Sequence, residues 1–142
     1  MIRQDFFIDK FGWNVVAFYD VKPKDANIVL KELRMLASAS ETRMIEEFIS
    51  EGNYNTGFTY SNPTLKASVV SIGETTDARQ FYNTLQHEQR HLETHIAKAY
   101  NLDPYGEELC YLAGDIAMSM FSACRELLCD CCRKKYRLPL YR

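Results

Sequence analysis

Residues 84–96 read TLQHEQRHLETHI, and they hold all three histidines of the chain, His87, His91 and His95, at intervals of four. The apolar residues Phe81, Leu85, Leu92, Ile96 and Ala99 recur around them at helical spacing, so one long helix is expected from about Ala78 to Tyr100. Each residue of a helix advances about 100°, and with Leu85 at zero the apolar stripe falls within about 40° either side. His87, His91 and His95 then stand at about 200°, 240° and 280°, with Glu88 near 300° between them and the buried side. The histidines line one flank of a core-facing helix, where the wall of a cleft would lie.

Downstream, Asn101 to Asp103 break this helix. Asp103 is placed to cap a further helix with Pro104 in its first position, running towards Cys132. Upstream, GFTY (57–60) and LKASVVSI (65–72) read as two strands joined through SNPT, the second the longer, and GNYNTG (52–57) as a turn-rich loop before them. Ser38 and Glu41 have the spacing of a capping box, opening a helix with Met44, Ile45, Phe48 and Ile49 on one apolar stripe. Pro23 opens an earlier helical run through Val29, Leu33 and Leu36, and GWNVVAFYD (12–20) reads as a strand. Strand, two helices, strand pair, two helices is an α+β order. The expectation is a single domain over 1–142, with the N-terminal strand and helices in 1–55, the strand pair in 57–72 and the site-bearing helices in 78–132.

The 142 residues suffice for one core and are too few for two. Apolar residues at 46% and charged residues at 25% give the balance of a soluble globular chain. A net charge of -2, from 17 basic and 19 acidic residues, points to no nucleic-acid or anionic-membrane partner, and the basic end CRKKYRLPLYR reads as a solvated terminus. MIRQDFFIDK lacks the continuous apolar stretch of a secretory signal. The run from Leu109 to Cys129 is interrupted by Asp115, Arg125 and Glu126, which argues against a membrane span. A cytoplasmic location is therefore expected. The five cysteines, Cys110, Cys124, Cys129, Cys131 and Cys132, are odd in number and crowd towards the C-terminus, as reduced thiols would. Cys129 and Cys132 make one CxxC with Cys124 nearby, but a four-ligand zinc site would need a second pair; Cys110 reads as a small core residue.

His87, Glu88, Gln89, Arg90 and His91 spell HExxH. Residues four apart on a helix have Cβ atoms about 6 Å apart, so both imidazoles can reach one zinc ion at about 2.0 to 2.1 Å each. The glutamate between such ligands works on the metal-bound water. His95 cannot join them, because a straight helix sets it about 12 Å from His87, whereas ligands of one zinc lie within about 4 Å. The metzincin solution, a glycine that ends the helix before a third histidine, is absent from LETHI. The third ligand is sought in the next helix, where YGEELCYLAGD holds Glu107 and Glu108.

On these residues the chain resembles the gluzincin group of metallopeptidases, over roughly residues 65–120. The resemblance implies a small zincin-like domain in which Zn2+ is held by His87, His91 and a glutamate of the following helix, Glu107 ahead of Glu108. Cys110 stands where the group often has a small residue, and Gly114 would allow close approach of the active-site helix. LKASVVSI would be an edge strand holding a peptide or protein substrate in extended form. Tyr111 departs from the pattern, standing where many members have Asp or Asn. The implied activity is peptide-bond hydrolysis, with Glu88 as general base and Tyr111 or His95 donating to the oxyanion. The short chain leaves little for a cleft and motivates the alternative, a non-catalytic zinc-binding interaction or accessory protein on the same scaffold. Hydrolysis of a non-peptide amide is a further, weaker option.

Overall fold

Strand β2 (Trp13–Val21) runs through a four-stranded sheet in the order β1-β2-β4-β3, with β1 at Ile2–Ile8, β3 at Phe58–Asn62 and β4 at Ala67–Gly73. It pairs antiparallel with β1 and parallel with β4, while β3 pairs antiparallel with β4. Residues 1–51 and 57–137 of the computed structural model are described here, apart from the side chains of Phe48 and of 135–137. Most of the GNYNTG turn and the end of the basic tail lie outside them.

Strand β1 was not among the expected elements. Its alternation is real, with Arg3, Asp5 and Phe7 exposed between better-covered neighbours. Gln4 on the covered side and Phe7 on the open side disguise that period in the sequence. A short 3-10 turn at Asp9–Phe11 and Gly12, at φ +59°, close the hairpin to β2. The other difference concerns order. LKASVVSI becomes β4, which begins only at Ala67 after Lys66 at φ +50° and an exposed Leu65, and it lies inside the sheet. On this side of the sheet the edge strand is β3, because β4 is already paired with β2 on its other side; β1 forms the opposite edge.

Helices α1 (Ala26–Leu36) and α2 (Ala39–Ser50) form that crossover. Val29 of α1 packs with Phe18, Val21 and Val69 on one sheet face. The capping box opens α2 as expected, Ser38 Oγ accepting from Glu41 N–H and Glu41 Oε2 from Ser38 N–H. Met44, however, is 69% exposed and leaves the α2 stripe. The opposite face carries the main core. Trp13, Val15, Ala17 and Tyr19 of β2 and Val70 and Ile72 of β4 meet Phe81, Leu85, Leu92 and Ile96 of α3 (Ala78–Ala99), together with Leu109, Leu112 and Ile116 of α4 (Glu107–Cys124). Asp77 caps α3 by accepting from Gln80 N–H at 2.9 Å; Ala97 is buried on α3 where Ala99 is exposed.

The C-terminal helix is divided where one continuous run was expected. Asp103 accepts from Tyr105 N–H in a turn, so α4 starts at Glu107 behind Gly106. After Cys124 the chain tightens into a 3-10 turn at Arg125–Leu128, breaks at Cys129 and restarts as α5 (Asp130–Arg137). Tertiary bonds hold the break. Asp130 Oδ1 accepts from Ala78 N–H at 2.9 Å, and the buried Arg133 guanidinium donates to the carbonyls of Leu127 and Thr75. The architecture is the expected α+β, a short sheet with the HExxH helix and its successor on one face. No helix among the described residues is long and apolar enough to cross a membrane.

Candidate metal sites

On α3 the Nε2 atoms of His87 and His91 stand 3.2 Å apart. Two nitrogens bound at about 2.05 Å to one tetrahedral ion would be about 3.3 Å apart, so the pair already converges as two corners of such a site. Glu88 lies beside it and is only 3% exposed. Its Oε1 is 4.0 Å from His87 Nε2, and its Oε2 accepts from Thr59 Oγ1 at 2.7 Å. Strand β3 causes this burial. A Cβ on Gly57 would fall 2.5 Å from Glu88 Cγ, so the strand comes this close because residue 57 has no side chain.

His95 faces the same strand but serves a different end. Its Nδ1 is 2.7 Å from Ser61 Oγ, which is 2.6 Å from Ser68 Oγ, and Ser68 accepts from the buried Trp13 Nε1–H at 2.8 Å. A direction that satisfies every group runs from the indole, which can only donate, through both hydroxyls to an accepting Nδ1. Burial first, then the charges of His91 and Lys98, push the His95 pKa below its ordinary value. His95 is thus a neutral fastener between α3 and the sheet. Sequence spacing made it look like a ligand; its partner Ser61 lies on a strand 34 residues away, which spacing does not register.

Helix α4 meets α3 on another flank. Gln89 Nε2 donates to Ala113 O at 3.3 Å, and Gln89 stands near 40° on the α3 wheel, about half a turn from His87 and His91. Glu107 and Glu108 are exposed, Glu108 pairing with Lys10 at 3.3 Å, and Tyr111 is 67% exposed. Leu109, Leu112 and Ile116 bind α4 to the core and turn both glutamates outward. Among the described residues, neither forms with His87 and His91 a group whose ligand atoms all lie within 4.8 Å of one another. A Cβ on Gly114 would meet nothing within 4 Å, so the close approach to the HExxH helix is made by Gly57, just before β3, rather than by Gly114. A surface concavity of about 950 Å³ is lined by residues such as Thr76, Gln80 and Thr84 and by no histidine; the His87 side chain is itself 66% exposed.

Among the described residues, the one group of three or more His, Cys, Asp or Glu whose ligand atoms all lie within 4.8 Å of one another is Cys129, Cys131 and Cys132, a group that can hold a metal ion. Cys129 has extended backbone just before α5, and Cys131 and Cys132 lie in the first turn of that helix. The Cys131 thiol first, then the N–H groups of Cys132 and Cys131, hold the Cys129 thiol down to about 7; the Cys129 side chain first, then that of Cys131, pushes Cys132 up. The third sulfur is Cys131; Cys124, which lies near the CxxC in sequence, is fully buried in the core and pushed up to about 11 by that burial. Cys110, expected in the core, is exposed. No protein-family model, curated protein or solved structure matches the chain.

Proposed function

We propose that the chain is a zinc-dependent metallopeptidase in which His87 and His91 hold the metal and Glu88 is the general base. The observation that carries this reading is the 3.2 Å convergence of the two Nε2 atoms beside a buried carboxylate. Zinc held by His87 and His91 would supply Lewis acidity and acidify a water at that position. Glu88, fixed by Thr59, takes the proton from water and returns it to the leaving amine. Substrate peptide lies extended along β3, the edge strand beside α3, and pairs with its backbone as an added strand. This passes the substrate-holding role expected of LKASVVSI to Phe58–Asn62.

A second reading, zinc-dependent interaction without turnover, draws on the outward position of Glu107 and Glu108, which leaves the pair without a third protein ligand from α4. Glu88→Gln separates the two readings when made in a background with Cys129, Cys131 and Cys132 changed to Ser, so that bound zinc reports the histidines alone. Catalysis requires that parent to hold one zinc and cleave a peptide library, that Glu88→Gln keep the zinc and lose cleavage, and that His87→Ala with His91→Ala lose both. A parent that binds zinc but cleaves nothing selects the interaction role. Zinc binding that survives loss of both histidines ends both readings.

A further inference from the structure

We infer that Cys129, Cys131 and Cys132 form a three-coordinate thiolate site for a soft monovalent cation of the copper(I) class. The inference is independent of the histidine pair. The three sulfurs lie within 4.8 Å of one another, and sulfurs bound at about 2.3 Å around a trigonal ion would be about 4 Å apart. The Cys129 and Cys131 sulfurs, now 2.9 Å apart, need only open by about 1 Å to reach that spacing.

The coordination number follows from what surrounds the cluster. Structural zinc takes four ligands, but no fourth His, Cys, Asp or Glu among the described residues belongs to this group. The nearest carboxylate in sequence, Asp130, already accepts from Ala78 N–H at the start of α3. Cys124 is buried in the core, and Cys110 lies on the first turn of α4. Three thiolates without a harder partner match a soft ion that accepts low coordination, and thiolate is the ligand type that selects Cu(I).

The backbone has been shaped before any ion arrives. Arg133 N–H donates to Cys129 O at 2.9 Å, and the buried guanidinium ties the turn to Leu127 and Thr75. The cluster therefore loses little further chain entropy when it binds. The sulfurs themselves remain partly or wholly exposed, which leaves a route for an ion delivered from solution.

The test titrates the reduced, full-length protein under anaerobic conditions with Cu(I), supplied as its acetonitrile complex against a chromogenic chelator, and follows with copper K-edge absorption. The expected result is one Cu(I) per chain with three sulfur neighbours. That stoichiometric binding should be lost in Cys129→Ser, Cys131→Ser and Cys132→Ser singly, yet kept in Cys110→Ser and in the double variant His87→Ala, His91→Ala. Each serine variant should melt at the wild-type temperature without metal, since the three side chains are exposed or half-buried. Copper bound through nitrogen or through two sulfurs, binding that survives any one of the three serine variants, or binding that disappears with the histidines would overturn the assignment.

Discussion

The histidine flank of α3 and the cysteine turn before α5 both gather metal-binding side chains, by opposite means. His87 and His91 converge because a continuous helix repeats every 3.6 residues, so two positions four apart must face the same way. Cys129, Cys131 and Cys132 converge because a helix stops: an extended residue at 129 folds one sulfur back over the turn that carries the other two. The first arrangement is as rigid as α3 and its neighbouring strand. The second depends on Arg133 and Asp130, which fix the turn through Thr75, Leu127 and Ala78. A regular element can offer only two ligands to one ion, whereas an irregular one can offer three from four consecutive residues. The two sites therefore differ in ligand number as well as in softness.

If β3 rather than α4 shapes the histidine flank, the glycines should divide accordingly. Gly57→Ala forces a methyl to within 2.5 Å of Glu88 Cγ. Displacing a general base by about 1 Å can cost about 100-fold in turnover. Peptide cleavage should fall by that order while zinc, held by imidazoles outside the clash, stays bound. Gly114→Ala enters open space inside a helix and should raise stability by about 1 kcal/mol with activity unchanged. The comparison breaks if Gly114→Ala is the variant that loses cleavage.

How much of this was legible in the sequence depends on whether the cause was local. The extent of α3, most of its apolar stripe and the i, i+4 pair follow from period alone, and they appear where period put them, Ala99 excepted. The Ser38 capping box is equally local and equally present. Nothing local says that β4 is interior and β3 the edge, because that order is set by a crossover spanning more than forty residues. Nothing local says that Glu107 turns outward either; it does so because Leu109, Leu112 and Ile116 claim the buried side of α4. The membership of Cys131 in the cluster is hidden in the sequence for a related reason. CxxC spacing selects Cys129 and Cys132, and only a helix break held from Thr75 and Ala78 brings the residue between them into the same cluster.

The fastening of α3 to the sheet provides a smaller test. Ser68→Ala leaves the buried Trp13 N–H without its acceptor and interrupts the link to Ser61 and His95. A buried donor left unpaired costs about 1 to 3 kcal/mol. At about 2 to 4 °C per kcal/mol for a chain near this size, the melting midpoint should drop by several degrees. Cys131→Ser, on the exposed turn, should leave the midpoint of metal-free protein unchanged. Equal losses in the two variants would mean that the cysteine turn supports the fold as heavily as the strand contacts do.

The smallest effect expected is in pH dependence, and its sign distinguishes a fastener from a ligand-like surface histidine. Burial, followed by His91 and Lys98, holds the His95 pKa below the value of about 6.5 expected in the unfolded chain. Between those two values the unfolded chain binds more protons than the folded one, so stability increases with pH there. His95 therefore contributes fully above about 6.5, and its contribution is lost as pH falls through that value towards the lower folded one. Chemical denaturation of chelator-treated protein between pH 7.5 and 5 should show this decline, and His95→Asn should flatten it while leaving the remaining slope intact. Protonation would also deprive Ser61 of its acceptor, so the decline should be weaker in Ser61→Ala, where that bond is already gone. A His95→Asn variant with the full wild-type slope would place the titration elsewhere and reduce His95 to an exposed neighbour of the metal-binding pair.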